Sequence, residues 1–152
     1  MFLCAVAMPG SIGNKFNGKL GCWTLVEVVA EKRDSKNRKK GTPVIQPIES
    51  INREVILRVL IEKLLPAIQL HYKNSKQKII IQMDNAPSHF QGNERNWANA
   101  VEKTGLDIEI KNQPSQSPDL NVLDLGYFNS IQSLQQRIRC EKVDELISSV
   151  NT

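Results

Sequence analysis

Two aspartates in this sequence have the residue type and the setting that metal-dependent chemistry requires, and Asp84 is the first. It directly follows the strand-like run I-I-I-Q-M, and Asn85 comes next in a turn that contains Pro87. Carboxylates at the ends of strands are where α/β folds hold metals and substrates. Asp and Asn also begin turns by bonding to their own backbone, so turn chemistry is the alternative interpretation.

Asp124 is the second candidate, in the segment P-S-Q-S-P-D-L-N-V-L-D-L-G-Y-F. Ser117 and Pro118 are typical of a helix start, and apolar residues at spacings of three or four then predict a buried stripe. The stripe consists of Leu120, Leu123, Tyr127, Ile131 and Leu134. Asp124 lies beside the stripe, where a carboxylate needs a partner. That partner could be a metal ion, or Asp124 could form a salt bridge at the rim of the apolar face. Gly126 would let a ligand or another backbone come close.

Two carboxylates from different elements can hold divalent cations where the fold brings them to one point. Mg²⁺ prefers hard oxygen ligands, and a two-metal site places its ions roughly 3.5–4 Å apart. We therefore predict that Asp84 and Asp124 face each other across a shared pocket. His89 is not counted as a metal ligand, because Mg²⁺ prefers oxygen to imidazole.

A short basic segment is the next candidate functional feature. Six of the nine residues 32–40 are basic and one is acidic, whereas the whole chain of 152 residues has a net charge of +4. The basic residues are Lys32, Arg33, Lys36, Arg38, Lys39 and Lys40. Such a loop is either a solvated surface or a contact for the phosphates of a nucleic acid.

The pattern of the whole sequence predicts one α/β domain. Strands are expected at residues 1–7, 22–30, 78–83 and 106–110, an extended segment at 42–47, and helices at 50–72, 93–103 and 118–146. Ser50 or Asn52 should cap the first helix, Pro66 should kink or divide it, and Gly105 should end the second. The apolar run at 78–83 predicts burial on both faces. Strands followed by alternating helices favour a three-layer α/β sheet.

The spacing of the cysteines and the first nine residues give information about the cellular compartment of the protein. Cys4, Cys22 and Cys140 are widely spaced and form no CxxC motif, which favours a reducing, intracellular environment. The start M-F-L-C-A-V-A-M-P lacks a basic leader and is too short for a signal peptide or a membrane span, so we interpret it as a buried strand. A chain that opens inside a strand is expected to be part of a longer protein.

The two aspartate segments resemble the catalytic core of mariner-type transposases. The motifs are D-N-A-P-S-H and Q-S-P-D-L-N-V-L-D-L-G-Y-F-N-S-I-Q-S-L-Q, and they look most like the mariner-like elements of plants and oomycetes. Thirty-nine residues lie between Asp84 and Asp124, which is the spacing in that subgroup. The similarity also includes M-F-L-C-A-V-A-M-P, E-K-R-D-S-K-N-R and L-L-P-A-I, so it covers most of the chain.

The resemblance implies a ribonuclease H-like three-layer α/β fold in which three acidic residues hold two ions of Mg²⁺ or Mn²⁺. Asp84 and Asp124 would be the second and third metal ligands and the catalytic residues. Asn85 and His89 would be neighbouring motif residues that orient a carboxylate or contact DNA, and Asn121 is a further motif neighbour.

The sequence also departs from the family. The first aspartate of the family, on an earlier central strand, has no counterpart, because Asp34 lies in the basic loop and Glu27 lacks the motif. We therefore expect residues 1–152 to be a partial catalytic domain without the helix-turn-helix DNA-binding region. Metal binding and catalysis should be severely reduced, and the missing strand should leave a backbone edge exposed beside the 78–83 strand.

The implied activity is DNA transposition by cutting and pasting. A phosphodiester is hydrolysed, and the freed 3′-hydroxyl then attacks target DNA. The implied partners are DNA and a second transposase subunit in the nucleus, either a homodimer partner or an intact copy. The alternative is a non-catalytic remnant that binds DNA or a transposase. A ribonuclease H-like nuclease acting on RNA hybrids is favoured less, because the motif and spacing suit transposases better.

Overall fold

The computed structural model describes residues 1–13, 15–73, 75–86 and 94–137, together with residues 145, 147 and 148. Within these ranges the chain is a mixed α/β protein. Its strands are β1 (Phe2–Val6), β2 (Lys19–Thr24), β3 (Val26–Ala30), β4 (Pro43–Pro47), β5 (Ile79–Met83) and β6 (Ile108–Asn112). Its helices are α1 (Arg53–Val59), α2 (Leu65–Tyr72), α3 (Arg95–Thr104) and α4 (Phe128–Gln135), with π-helical segments at Leu60–Leu64 and Leu123–Tyr127 and a 3₁₀ turn at Pro118–Leu120.

The strands of the described residues pair in three two-stranded sheets. The pairs β1–β2 and β3–β4 are antiparallel, and β5–β6 is parallel with α3 as its crossover. Leu25 joins the first two pairs, because its N–H donates to the carbonyl of Met1 at 2.9 Å and its carbonyl accepts from Ile48 at 3.1 Å. The α/β class is therefore confirmed, but these strands do not form one three-layer sheet. The expected strand at 22–30 is divided at Leu25.

The core lies between the helical run of residues 53–72, α3, and one face of the strands. Its buried side chains are Ile56, Leu57, Leu60, Leu64, Leu65, Ile68, Trp97, Leu106, Ile108 and Ile110. Leu3 and Ala5 of β1 and Ile79 and Ile81 of β5 pack against this cluster. One core thus holds two pairs of strands that share no backbone pairing.

The ends of two helices follow the sequence predictions closely. The side chain of Asn52 accepts from the N–H of Val55 at 3.0 Å, which makes Asn52 the N-cap of α1. Gly105 ends α3 in the left-handed conformation, with φ of 69°. Pro66 lies in the first turn of α2, directly after the π-helical segment. The backbone stays helical from α1 through that segment into α2, so the pitch changes before Pro66 but the helix is not divided as predicted. No helix in the described ranges is long and apolar enough to cross a membrane.

Two burial predictions are wrong. Ile80 on β5 is 52% exposed, because the core covers only the face formed by Ile79, Ile81 and Met83. Leu120 is 47% exposed, and Leu123, Tyr127 and Ile131 are only half-buried. The predicted helix from 118 is broken into 3₁₀ and π-helical pieces, and a spacing of three or four residues does not form one stripe across such a change of pitch.

Cys4 and Cys22 are paired as a disulfide across β1 and β2, with their Cα atoms 4.1 Å apart. The sequence contained no signal for this pair, since the two cysteines are 18 residues apart and become neighbours only through the register of the hairpin. The predicted reducing compartment stays a prediction.

The hairpin β1–β2 depends on a glycine beneath an indole ring. A Cβ atom added at Gly21 would overlap the ring of Trp23, whose Cε2 atom would lie 2.7 Å away. Trp23 itself packs against the core. We expect Gly21→Ala to lower the free energy of unfolding by about 1–3 kcal/mol, because the ring must leave its place.

Gly126→Ala is the matched control for this prediction. A Cβ atom at Gly126 would meet nothing within 4 Å, and alanine favours a helix, so the free energy of unfolding should stay the same or rise. Urea unfolding followed by circular dichroism measures both variants. Equal stability of Gly21→Ala and the unsubstituted chain would show that Trp23 does not lie over Gly21.

An exposed ion pair lies on the face of the β5–β6 sheet opposite the core. The Nζ atom of Lys78 is 2.7 Å from Oε2 of Glu109, and Nζ of Lys111 is 3.8 Å from Oε1. The hydrogen bond from Lys78 is the main reason that the pKa of Glu109 lies below its ordinary value, and the charge of Lys111 lowers it further. The same pair raises the pKa of Lys78.

Lys78→Met should raise the pKa of Glu109 more than Lys111→Met does, because only Lys78 is hydrogen-bonded to the carboxylate. Carboxyl chemical shifts followed by NMR across a pH titration measure both. The folded pKa of Glu109 is depressed, so its stabilising effect is present above the ordinary glutamate pKa and is lost as the pH falls through the folded pKa. Solvent keeps that effect small. Equal shifts in the two variants would contradict the assignment.

Candidate functional site

Asp84 lies half-buried where β5 passes into a turn. Its Oδ1 atom accepts a hydrogen bond from the backbone N–H of Ala86 at 3.0 Å. This bond forms an Asx turn, so the turn chemistry considered from the sequence is present. An ionised carboxylate offers about four lone-pair sites, so a turn bond and a cation are compatible at one group.

Asp124 lies on the π-helical segment Leu123–Tyr127, and it is exposed instead of lying beside a buried stripe. Its Oδ2 atom accepts from Nδ2 of Asn121 at 2.6 Å. The Oδ1 atom of Asn121 accepts in turn from the N–H of Leu123 at 3.2 Å. Asn121 therefore holds the carboxylate of Asp124 in one orientation at the start of the helical segment.

Hydrogen bonds from the end of β5 reach the segment that leads to Asp124. The Nε2 atom of Gln82 donates to the carbonyl of Leu120 at 2.8 Å. The Nδ2 atom of Asn85 donates to the carbonyl of Gln113 at 2.7 Å, and the N–H of Gln113 donates to the carbonyl of Met83 at 2.8 Å. The two motif segments are thereby brought together at the C-terminal end of β5.

The backbone between these tethers is held in an unusual conformation. Gln116 has φ of 59°, in the left-handed region that residues other than glycine seldom adopt. Such a conformation persists where the surrounding structure imposes it. The hydrogen bonds at Gln113 and Leu120 lie on either side of Gln116 and restrain the loop.

Gln82 is not among the site residues that the sequence predicts. It is the one polar residue in the run I-I-I-Q-M, on the strand face that also carries the exposed Ile80. A long amide side chain on an uncovered face can reach a neighbouring segment, so a single Gln in an apolar strand is the sequence feature that could have pointed to this contact. Asn85 was assigned a supporting role, and it is exposed and bound to Gln113. His89 lies outside the described residues.

The donor chemistry of the site suits a divalent cation in part. Asp84 and Asp124 offer hard carboxylate oxygens of the kind that Mg²⁺ and Mn²⁺ prefer. In the part of the chain that the structure describes, no group of three or more His, Cys, Asp or Glu side chains is placed to hold a metal ion. The prediction that Asp84 and Asp124 face each other across a shared pocket and bind a metal ion together therefore stays a prediction.

The basic segment forms the tip of the β3–β4 hairpin, well separated in sequence from the two aspartates. Its base is closed by two backbone hydrogen bonds between Glu31 and residues 41 and 42, both 2.9 Å long. The Oδ1 atom of Asp34 accepts from the N–H of Lys40 at 2.8 Å, and Ser35 and Arg38 bond to each other inside the loop. Asp34 is thus a structural residue of the loop.

All six basic side chains of this loop are exposed. None of them forms an ion pair with a carboxylate in the described ranges. The loop therefore presents a net positive charge at the end of a two-stranded arm, and its hydrogen bonds, including the one accepted by Asp34, fix its shape. This arrangement suits contact with a phosphate backbone, and it also fits an ordinary solvated loop.

Comparisons of the chain with protein-family models, with curated proteins and with solved structures found no match. Similarity to a known protein therefore establishes neither the family nor the activity.

Gln82→Met should loosen the segment that leads to Asp124, because methionine keeps the length of the side chain but cannot donate to the carbonyl of Leu120. We expect faster amide hydrogen exchange in residues 118–124, measured by mass spectrometry, with little change in overall stability, since Gln82 is exposed.

Gln46→Met is the control for this prediction. Gln46 lies on β4 and its amide bonds to the side chain of Glu27 at 3.3 Å, so its loss removes a similar exposed contact elsewhere. Exchange in residues 118–124 should be unchanged in Gln46→Met. Unchanged exchange in Gln82→Met as well would show that the tether does not hold the two motif segments together.

Proposed function

We propose that this chain is part of the catalytic domain of a mariner-type DNA transposase with a ribonuclease H-like fold. Asp84 and Asp124 would supply two of the three acidic ligands for Mg²⁺ or Mn²⁺. The bound metal would supply activation of water and stabilisation of charge on the scissile phosphate. Like its proposed relatives, the protein would act in the nucleus on transposon ends and target DNA, together with a second transposase subunit.

The observation that carries the proposal is the joining of the two motif segments at the end of β5. Thirty-nine residues separate Asp84 from Asp124, and α3 and β6 lie between them. Hydrogen bonds from Gln82 and Asn85 nevertheless bring the chain back to the same strand end. A site built from a strand end and a later helix requires the later segment to come back to that strand end. An Asx turn at Asp84 has no such requirement.

The arrangement of the strands gives a second line of support. In the fold that the resemblance implies, a central strand carrying the first aspartate pairs on both sides. Among the described residues, β1 has only β2 as a partner and β5 has only β6, so each keeps one unpaired edge. Both strands pack against the same core. A strand between them would complete one sheet and would bring the first acid toward the other two.

The chain itself would cleave DNA poorly, because two carboxylates hold a metal pair less well than three. The six exposed basic residues of the β3–β4 arm favour a second candidate function, a non-catalytic module that binds DNA or an intact transposase subunit. The two functions differ in cleavage and share DNA binding, so one set of experiments separates them.

The first measurement is binding of residues 1–152 to a short DNA duplex by fluorescence anisotropy at graded salt. We expect affinity to fall as salt rises, and the slope of log affinity against log salt should become shallower by about 0.9 for each phosphate contact that is removed. Lys39→Gln with Lys40→Gln should therefore weaken binding and flatten the slope. The double variant Lys63→Gln with Lys103→Gln removes the same charge from exposed helix positions, and it should change the affinity and the salt slope less.

The second measurement is nicking of supercoiled DNA. With Mg²⁺ or Mn²⁺, a chain extended upstream by the family's Asp-containing strand should nick, and Asp84→Asn or Asp124→Asn should abolish nicking while DNA binding persists. Asp107→Asn, an exposed acid at the opposite end of β6, should retain it. Nicking that survives Asp84→Asn, or no nicking by the extended chain, would contradict the catalytic proposal. Salt-sensitive binding without cleavage would leave the binding module.

A further inference from the structure

Cys4 and Cys22 lie directly opposite each other in the β1–β2 hairpin, between the cross-strand pairs Leu3–Trp23 and Ala5–Gly21. Opposite residues in an antiparallel pair alternate between hydrogen-bonded and non-hydrogen-bonded positions. Met1 and Leu25 are hydrogen-bonded, because the N–H of Leu25 donates to the carbonyl of Met1, so Cys4 and Cys22 three positions along are a non-hydrogen-bonded pair. Side chains lie closest at such positions, in keeping with the Cα separation of 4.1 Å. The register of the hairpin therefore brings the two sulfur atoms together.

The core holds this hairpin from the other face. Leu3, Ala5 and Trp23 pack against the buried cluster, and successive side chains of a strand point to opposite faces. Cys4 and Cys22 consequently lie on the face away from that cluster, and both are half-buried. The fold of the hairpin has its own apolar support, so the covalent bond is an addition to it, and both cysteines keep part of their surface exposed.

We propose that Cys4 and Cys22 are a reversible thiol–disulfide exchange site whose co-reactant is a low-molecular-weight disulfide of the glutathione type. The thiolate of one cysteine attacks the reagent and forms a mixed disulfide, which releases the first reduced thiol. The second cysteine then attacks the mixed disulfide at the protein sulfur, which releases the second reduced thiol. The two protein thiols lose two electrons and two protons, and the reagent disulfide gains them.

The state of this pair sets how readily the hairpin opens. β1 has one paired edge within the described residues, so the contacts that keep it in place are its bonds to β2 and its packing on the core. A bond between Cys4 and Cys22 closes a covalent loop across those two strands and restricts the open chain. The oxidised hairpin should thus open less often than the reduced one.

The experiment equilibrates the full chain in buffers of graded oxidised and reduced glutathione, alkylates the remaining thiols and analyses the peptides by mass spectrometry. We expect an internal Cys4–Cys22 bond that forms and disappears with the glutathione ratio and depends on the square of the reduced glutathione concentration. Cys140, which lies outside the described residues, provides the third thiol for comparison. A bond that survives excess reduced glutathione, or mixed adducts without an internal bond, would overturn the proposal.

Hydrogen exchange of the same samples tests the consequence for the hairpin. Amides of residues 2–6 and 19–24 should exchange on the order of tenfold more slowly in the oxidised chain. Cys140→Ser should keep this difference, and Cys4→Ser should lose it. The comparison of the oxidised and reduced unsubstituted chain needs no variant, so it holds even if Cys4→Ser fails to fold. Equal exchange in the two states would contradict the role of the pair.

Discussion

The packing of one helical run against two unconnected pairs of strands is the constraint on which the rest of the structure depends. Residues 53–72 contribute Leu60, Leu64 and Ile68 to the core, and strand residues from both β1 and β5 rest on the same cluster. No backbone hydrogen bond joins these strand pairs within the described ranges. Their relative position is therefore determined by side-chain packing, which is less directional than a β ladder. The candidate site at the end of β5 inherits its position from this packing.

Local signals in the sequence determined much of the secondary structure. The cap at Asn52 and the end of α3 at Gly105 were both predicted, because each depends on residues within a few positions of one another. The failures concern contacts between distant segments. Ile80 was expected to be buried because its neighbours are apolar, but burial depends on what covers the face, and Gln82 was the one residue of the run I-I-I-Q-M that pointed to an uncovered face.

In the candidate site, too, the local features were predictable from the sequence and the contacts between distant segments were not. The sequence singles out Asp84 and Asp124 as candidates, and their meeting in one pocket stays a prediction. The structure shows hydrogen bonds between the flanking segments, through Gln82, Asn85 and a backbone bond at Gln113. The two side-chain bonds could not be predicted, since they link residues 38 and 28 positions apart. The Asx turn at Asp84 also shows that the two interpretations of this residue were not exclusive. A carboxylate that begins a turn is held in place by it, and a fixed orientation is useful to any ligand.

The hydrogen bond from the N–H of Lys40 to Asp34 has a consequence for how the basic arm would meet a polyanion. A flexible basic tail must give up conformational entropy when it settles on a phosphate backbone, and that loss weakens binding. Here one acidic side chain cancels a unit of positive charge but ties the loop into a defined shape before any contact. In the DNA contact proposed for this arm, some long-range attraction would be exchanged for preorganisation.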